Sequence, residues 1–315
     1  MNKFLTMFLA SSLAIGCSRN ATSSGLSAGE GFIDVPGGKV WYRITGSGTA
    51  IPLLALHGGP GFPSDYLTPL TRLADERPII LYDQLGGGKS DRPADKSLWK
   101  TERFVQELAA VREKLGLKEV HILGHSWGTM LATDYMLTKP AGVRSLILSS
   151  PAISIPRWLA DANVFRSQLP ADVQATLKKH EDAGTTDSQE YQDAVTEYYK
   201  LHLCRIFPYP SEMESTMKNA GMDVYLTMWG PSEFFGIGNL KDYDRSSRLN
   251  EIRVPVLYTA GRYDEATPES TQYYQGLTPG ASFVMFENSS HMAMLEETDR
   301  YIQVVRDFLH RVEGK

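Results

Sequence analysis

The stretch Val120-His121-Ile122-Leu123-Gly124-His125-Ser126-Trp127-Gly128 decides how this chain folds. An apolar run from Val120 to Leu123 stops at a glycine, a serine follows two residues later, and a second glycine stands two residues beyond it, where a helical pattern begins. That order reads as a strand turning sharply into a helix, with the serine hydroxyl at the apex of the turn. The backbone of so tight a turn is crowded two residues either side of the serine, and a Cβ at Gly124 or Gly128 would clash. The pentapeptide alone also arises by chance in glycine-rich turns, so the rest of the chain must supply the context.

Outward from this point the chain repeats short apolar runs without alternation: Ile51 to Leu56, Pro78 to Tyr82, Val143 to Ser149, Val254 to Ala260 and Ser282 to Phe286. Runs of this kind suit strands buried on both faces of a parallel sheet. Phe104, Leu108, Val111 and Leu115 recur at helical spacing between two of them, and Tyr301, Val305, Phe308 and Val312 do so near the C-terminus. Alternating strands and helices predict a doubly wound α/β fold. Ahead of it, Gly31 to Ile44 alternates like a hairpin turning at Pro36-Gly37-Gly38, with Val40, Tyr42 and Ile44 on one face. The rhythm breaks over residues 151–250, where helical patches at Val164–Lys179 and Ser188–Leu203 and many aromatic and methionine side chains predict a helical cap with a small core of its own. Residues 31–150 and 251–315 form the main body in this reading.

The 315 residues carry a net charge of −5 with no basic stripe, which argues against nucleic acid as a partner. The N-terminus is set apart. Lys3 precedes an apolar stretch from Phe4 to Ile15 that ends in Gly16-Cys17-Ser18, the layout of an export signal. About a dozen apolar residues fall short of the roughly 20 that a membrane-spanning helix needs. Ala14-Ile15-Gly16-Cys17 resembles a bacterial lipobox, which predicts lipidation at Cys17 and an exported, periplasmic or cell-envelope protein; cleavage without lipid is the competing outcome. Residues 18–30, rich in Ser, Ala, Gly and Asn, read as a flexible tether. With Cys17 lipidated, Cys204 has no disulfide partner.

The motif with its glycines resembles the nucleophile turn of the α/β-hydrolase fold, in which an acid and then a histidine follow the serine in the chain. Asp264 lies just past a late strand, in Gly261-Arg262-Tyr263-Asp264-Glu265, and His291 just past the last, in Asn288-Ser289-Ser290-His291-Met292. In that arrangement His291 takes the proton of Ser126 and Asp264 fixes the imidazole tautomer. Of the other six histidines, His57 belongs to a glycine loop, and His125 is expected to point away from the serine; His121, His180, His202 and His310 read as structural. The loop His57-Gly58-Gly59-Pro60-Gly61 follows a strand where this fold places oxyanion donors, which assigns that role to the backbone amides of Gly59 and Trp127. Asp83-Gln84-Leu85-Gly86-Gly87-Gly88-Lys89-Ser90 ends like a phosphate loop but lacks its first glycine, and reads as a structural loop near the serine. No His, Cys or Glu cluster has metal-ligand spacing, so neither metal nor cofactor is implied.

Together His57-Gly58-Gly59-Pro60-Gly61, Asp83-Gln84-Leu85-Gly86, Gly124-His125-Ser126-Trp127-Gly128, Gly230-Pro231-Ser232-Glu233-Phe234 and Gly261-Arg262-Tyr263-Asp264-Glu265 resemble the proline iminopeptidase family of serine peptidases, from Gly31 to the C-terminus. Thr129 departs from the small residue that the family often has there. The resemblance implies a serine aminopeptidase that releases N-terminal residues, commonly proline, from short peptides. It also implies that Glu233 and Glu265 bind the substrate's ammonium group. The residues alone favour an exposed surface glutamate at Glu233, and Glu265 is also readable as a partner of its own turn. An amino-acid amidase, esterase or lactonase on the same scaffold is the alternative, and a non-catalytic ligand-binding protein is a more distant one.

Overall fold

A computed structural model describes residues 25–315 of the chain. The signal stretch, Cys17 and the first part of the expected tether lie outside them. The strands are β1 (Gly29–Val35), β2 (Gly38–Thr45), β3 (Leu53–Leu56), β4 (Ile79–Tyr82), β5 (Val120–Ser126), β6 (Val143–Pro151), β7 (Val256–Gly261) and β8 (Ser282–Phe286). They form one sheet in the order β1-β2-β4-β3-β5-β6-β7-β8, in which β2 pairs antiparallel with both neighbours and every later pair is parallel. Gly29 and Glu30 belong to β1, paired with Ile44 and Arg43, and Leu26 bridges Gly48, so backbone pairing begins within the expected tether. The hairpin turns on Pro36-Gly37 alone, since Gly38 already pairs with Val35.

The helices are α1 (Thr101–Lys114), α2 (Trp127–Leu137), α3 (Ile155–Arg166), α4 (Ala171–Ala183), α5 (Gln189–His202), α6 (Ser211–Lys218), α7 (Met222–Met228), α8 (Pro268–Leu277), α9 (Ala293–Glu296) and α10 (Thr298–Glu313). The missing alternation in the central strands has a direct cause. Leu54, Leu56, Ile80, Tyr82 and Ile122 enter a core shared with α1, α2 and α8, while their chain neighbours Leu53, Ala55, Ile79, Leu81 and Leu123 enter a second core under α10 and the 3-10 run Asp65–Asp75. Both faces are covered, so both sets of side chains are apolar.

Helices α3 to α7 fall within residues 151–250. The expected patch Val164–Lys179 is two helices, because Pro170 lacks an N–H and caps α4 rather than continuing α3. Ser188 accepts from the Tyr191 amide and starts α5. Tyr198, Tyr225, Met228 and Trp229 are buried in the first core, Met213 is buried in the second, and Phe207 and Met217 are exposed. The inner surface of these helices lies over the C-terminal ends of β5, β7 and β8, where the residues of interest converge.

Candidate active site

Ser126 ends β5 with φ 54° and ψ −125°, a left-handed backbone that side chains other than glycine adopt at a cost of about 1–3 kcal/mol. The neighbouring glycines make the turn sterically feasible. A Cβ on Gly124 would stand 2.3 Å from the Gly128 carbonyl oxygen, and one on Gly128 would stand 2.2 Å from that of Leu56.

Asp264 follows β7 and is fully buried. Its Oδ1 lies 2.7 Å from His291 Nδ1 and accepts from the Ala266 amide at 2.8 Å, while Oδ2 accepts from the Gly261 amide at 3.3 Å. His291 follows β8, and its backbone is anchored on two sides. Its N–H donates to the His202 carbonyl at the end of α5, and its carbonyl accepts from His125 Nε2 at 2.9 Å and Ser150 Oγ at 3.2 Å. Contrary to expectation, His125 does not point away: its ring centroid is 4.6 Å from that of His291. Its Nε2 must donate to a carbonyl, so its Nδ1 accepts from the Tyr66 hydroxyl at 2.8 Å, and burial together with the neighbouring His291 holds its pKa well below the usual histidine value. Ser126 and His291 line one constricted cavity with Gly58, Gly59, Tyr66 and Glu233, roomy enough for about one water. No hydrogen bond joins Ser126 Oγ to His291 in this closed arrangement; such contacts often tighten only when substrate is bound.

The Gly59 and Trp127 amides donate to no protein acceptor among the described residues. The loop carrying Gly59 is held from behind. Gly58 N–H donates to Tyr66 Oη at 2.6 Å, Gln84 Nε2 donates to the His57 carbonyl at 3.0 Å, and Trp127 Nε1 donates to Gln84 Oε1 at 2.9 Å. The segment that mimics a phosphate loop is thus a brace: the Asp83 carboxylate takes both Ser64 donors and the Lys89 amide, and Gln84 ties the glycine loop to the serine turn.

Glu233 is not a surface residue. It is 5% exposed, its Oε1 accepts from Tyr225 Oη at 2.7 Å, and burial pushes its carboxyl up to about 7. Glu265 is fully buried, and neither carboxyl oxygen has a hydrogen-bond partner, so it does not bond to its own turn. The Tyr198 hydroxyl beside it is unpaired as well. Burial first, then the charges of Glu233 and Asp264, raise the Glu265 carboxyl well above its usual range.

A family profile for the alpha/beta hydrolase fold matches residues 51–298. Over 287 residues the chain is 51% identical to the proline iminopeptidase of Heyndrickxia coagulans, covering 90% of this chain and 99% of that protein. The chain belongs to the proline iminopeptidase family. Among solved structures, VinJ superposes with a TM-score of 0.87 at 38% identity, covering 90% of this chain and 99% of VinJ. The proline iminopeptidase of Mycobacterium smegmatis does so at 0.82 and 35%, covering 90% and 98%.

Three side chains that line this family member's cavity or hold its lining were not legible in the sequence. Tyr66 sits on an irregular 3-10 run, Trp158 donates its Nε1–H to the Glu233 carbonyl while its ring meets that of His291 edge-on, and Tyr225 holds Glu233. None belongs to a short motif. For Trp158 and Tyr225 the one available signal was the density of tyrosine and tryptophan in residues 151–250, and Tyr66 carried none.

Proposed function

We propose that this protein is a serine aminopeptidase that releases N-terminal residues, preferentially proline, from short peptides through an acyl-enzyme. The observation that carries this reading is the pair Glu233 and Glu265. Two carboxyl groups are buried beside the Ser126 cavity, and the oxygens of one of them, Glu265, make no hydrogen bond and face no cation among the described residues. Buried carboxylates without partners are costly, and a substrate ammonium supplies the missing charge and donors.

With the amine held there, the first carbonyl of the peptide is presented to Ser126. The Ser126 hydroxyl adds to that carbonyl as His291 takes its proton, and Asp264, through its 2.7 Å contact with Nδ1, stabilises the imidazolium. The carbonyl becomes an oxyanion facing the Gly59 and Trp127 amides, donors worth about 3–4 kcal/mol each. Collapse breaks the peptide C–N bond, and the imidazolium returns its proton to the leaving amine. Water, deprotonated by His291, then attacks the acyl ester and frees the amino acid and Ser126.

The test is a panel of aminoacyl arylamides and plain esters. Ser126→Ala is expected to abolish release of arylamine from a prolyl arylamide with the fold unchanged by circular dichroism; retained turnover, or a wild type that cleaves esters alone, refutes the reading. We also propose export and lipid attachment at Cys17, supported by the apolar stretch Phe4 to Ile15 and the lipobox-like residues after it. Mass analysis of the mature N-terminus decides between a lipidated Cys17 and an unmodified end.

A further inference from the structure

We infer that His57 is a positioning residue of the reaction: locked as its Nδ1–H tautomer, it fixes the Gly58–Gly59 peptide plane and so aims the Gly59 amide at the oxyanion. The inference rests on the proposed function, because it concerns the same site.

The hydrogen bonds leave His57 one state. The Gln84 amide donates to Nε2 at 2.8 Å, so Nε2 carries no proton. Nδ1 lies 2.9 Å from the Gly58 carbonyl oxygen, an acceptor only, so Nδ1 carries the proton and donates it. An imidazolium would put an N–H against the Gln84 N–H. Full burial also keeps the ring neutral, lowering its pKa against the opposing pull of Asp83.

The bond to the Gly58 carbonyl has an effect one atom further on. The Gly58–Gly59 peptide is trans, and in a trans peptide the C=O and N–H point in opposite directions. Holding the Gly58 oxygen toward His57 therefore turns the Gly59 N–H to the other side, and that N–H is spent on no acceptor among the described residues. The adjoining plane is pinned too, through Gly58 N–H and Tyr66 Oη. The same Gln84 that sets the His57 tautomer also accepts from the Trp127 indole, so the carriers of both oxyanion donors share one brace. Without the His57 donor a glycine pair is free to rotate this peptide, and a carbonyl in place of an N–H would repel the oxyanion.

Two substitutions separate the halves of the imidazole. His57→Asn keeps a donor near the Nδ1 position and loses the acceptor for Gln84; His57→Gln keeps an acceptor near the Nε2 position and loses the donor to Gly58. With a prolyl arylamide, His57→Gln is expected to lower kcat about 10²- to 10³-fold with KM within about threefold, and His57→Asn to stay within about tenfold of wild type. Inhibition by prolinal, whose adduct with Ser126 carries the oxyanion, weakens in parallel with kcat in His57→Gln, while inhibition by proline does not change. A merely structural role would move both inhibitors together. Nitrogen-15 spectra of the histidine-labelled wild type supply a measurement that needs no variant to fold, and are expected to show His57 as the neutral Nδ1–H tautomer. An Nε2–H or doubly protonated ring overturns the inference, as does undiminished kcat in His57→Gln, or equal loss in both variants. A wild type inactive on prolyl arylamides would refute the functional reading instead, and the tautomer would still be measured.

Discussion

Asp264 and Glu265 are adjacent in one turn, yet their carboxyl groups have opposite fates. Asp264 is surrounded by the His291 ring and the Gly261 and Ala266 amides, so its charge is satisfied at all times. Glu265 is equally buried and its oxygens make no hydrogen bond, with only the Tyr198 hydroxyl beside them. A side chain in that condition is held neutral or waits for a cation, and Glu233, with its single bond from Tyr225, shares the space. Glu265→Gln keeps the shape and removes the charge. It is expected to cut kcat/KM for a prolyl arylamide by about 10²-fold, the scale of a lost buried charge pair, chiefly through KM. A simple acyl ester with no amine should lose less than about threefold. Parallel loss on both substrates would mean that Glu265 supports the fold of the turn and not the amine. Glu233→Gln should show the same split, softened because Tyr225 can still donate to the amide oxygen.

At the scale of elements, what the sequence made legible follows from how far apart the deciding contacts lie. The strands β3 to β7 could be read because burial on both faces writes itself into consecutive residues, and the serine turn because its glycines sit two positions from Ser126. Asp264 and His291 were readable from their places after β7 and β8. The contacts of His125 with His291 and Tyr66, and of Tyr225 and Trp158 with Glu233, join segments that no local pattern relates. Burial of Glu233 was hidden for the same reason, since a glutamate between Ser232 and Phe234 looks solvated until the tertiary structure covers it. Helix α10 shows another long-range tie. Its last residue, Glu313, accepts from buried Arg77 at 2.6 Å and lies 3.1 Å from His121 at the start of β5. Bonds from Arg77, Lys315 and His121 outweigh partial burial and hold its carboxyl down at about 2. The stability it contributes is therefore present above about pH 4.5 and lost as the pH falls through about 2. Glu313→Ala leaves the buried Arg77 charge only the longer pair with Glu76 at 3.6 Å and should destabilise by about 3 kcal/mol, lowering Tm by roughly 5–10 °C, with kcat unchanged. A Tm shift below about 2 °C would show that water or Glu76 already satisfies Arg77.

For the whole molecule, the buried acidic pair sets stability against binding as pH changes. Glu233 has its carboxyl raised to about 7 and Glu265 well above its usual range, so both hold protons in the folded free protein that the unfolded chain releases near pH 4.5. A group raised in this way contributes stability in full below about pH 4.5 and loses it as pH rises through the folded value. The buried neutral histidines His57 and His125 act in the opposite sense, since their lowered pKa values cost stability as pH falls below about 6.5. The wild-type profile alone thus mixes two trends, and the difference from a Glu233→Gln, Glu265→Gln double variant isolates the carboxyl pair. Relative to that variant, wild-type Tm should fall by several degrees between about pH 5 and pH 8.5. Binding runs the other way, because the amine needs at least one ionised carboxylate. Saturating prolinamide should raise wild-type Tm more at pH 8 than at pH 5.5, and should leave the double variant unmoved at both. A ligand shift that is the same at both pH values, or that survives in the double variant, would place the amine elsewhere in the cavity.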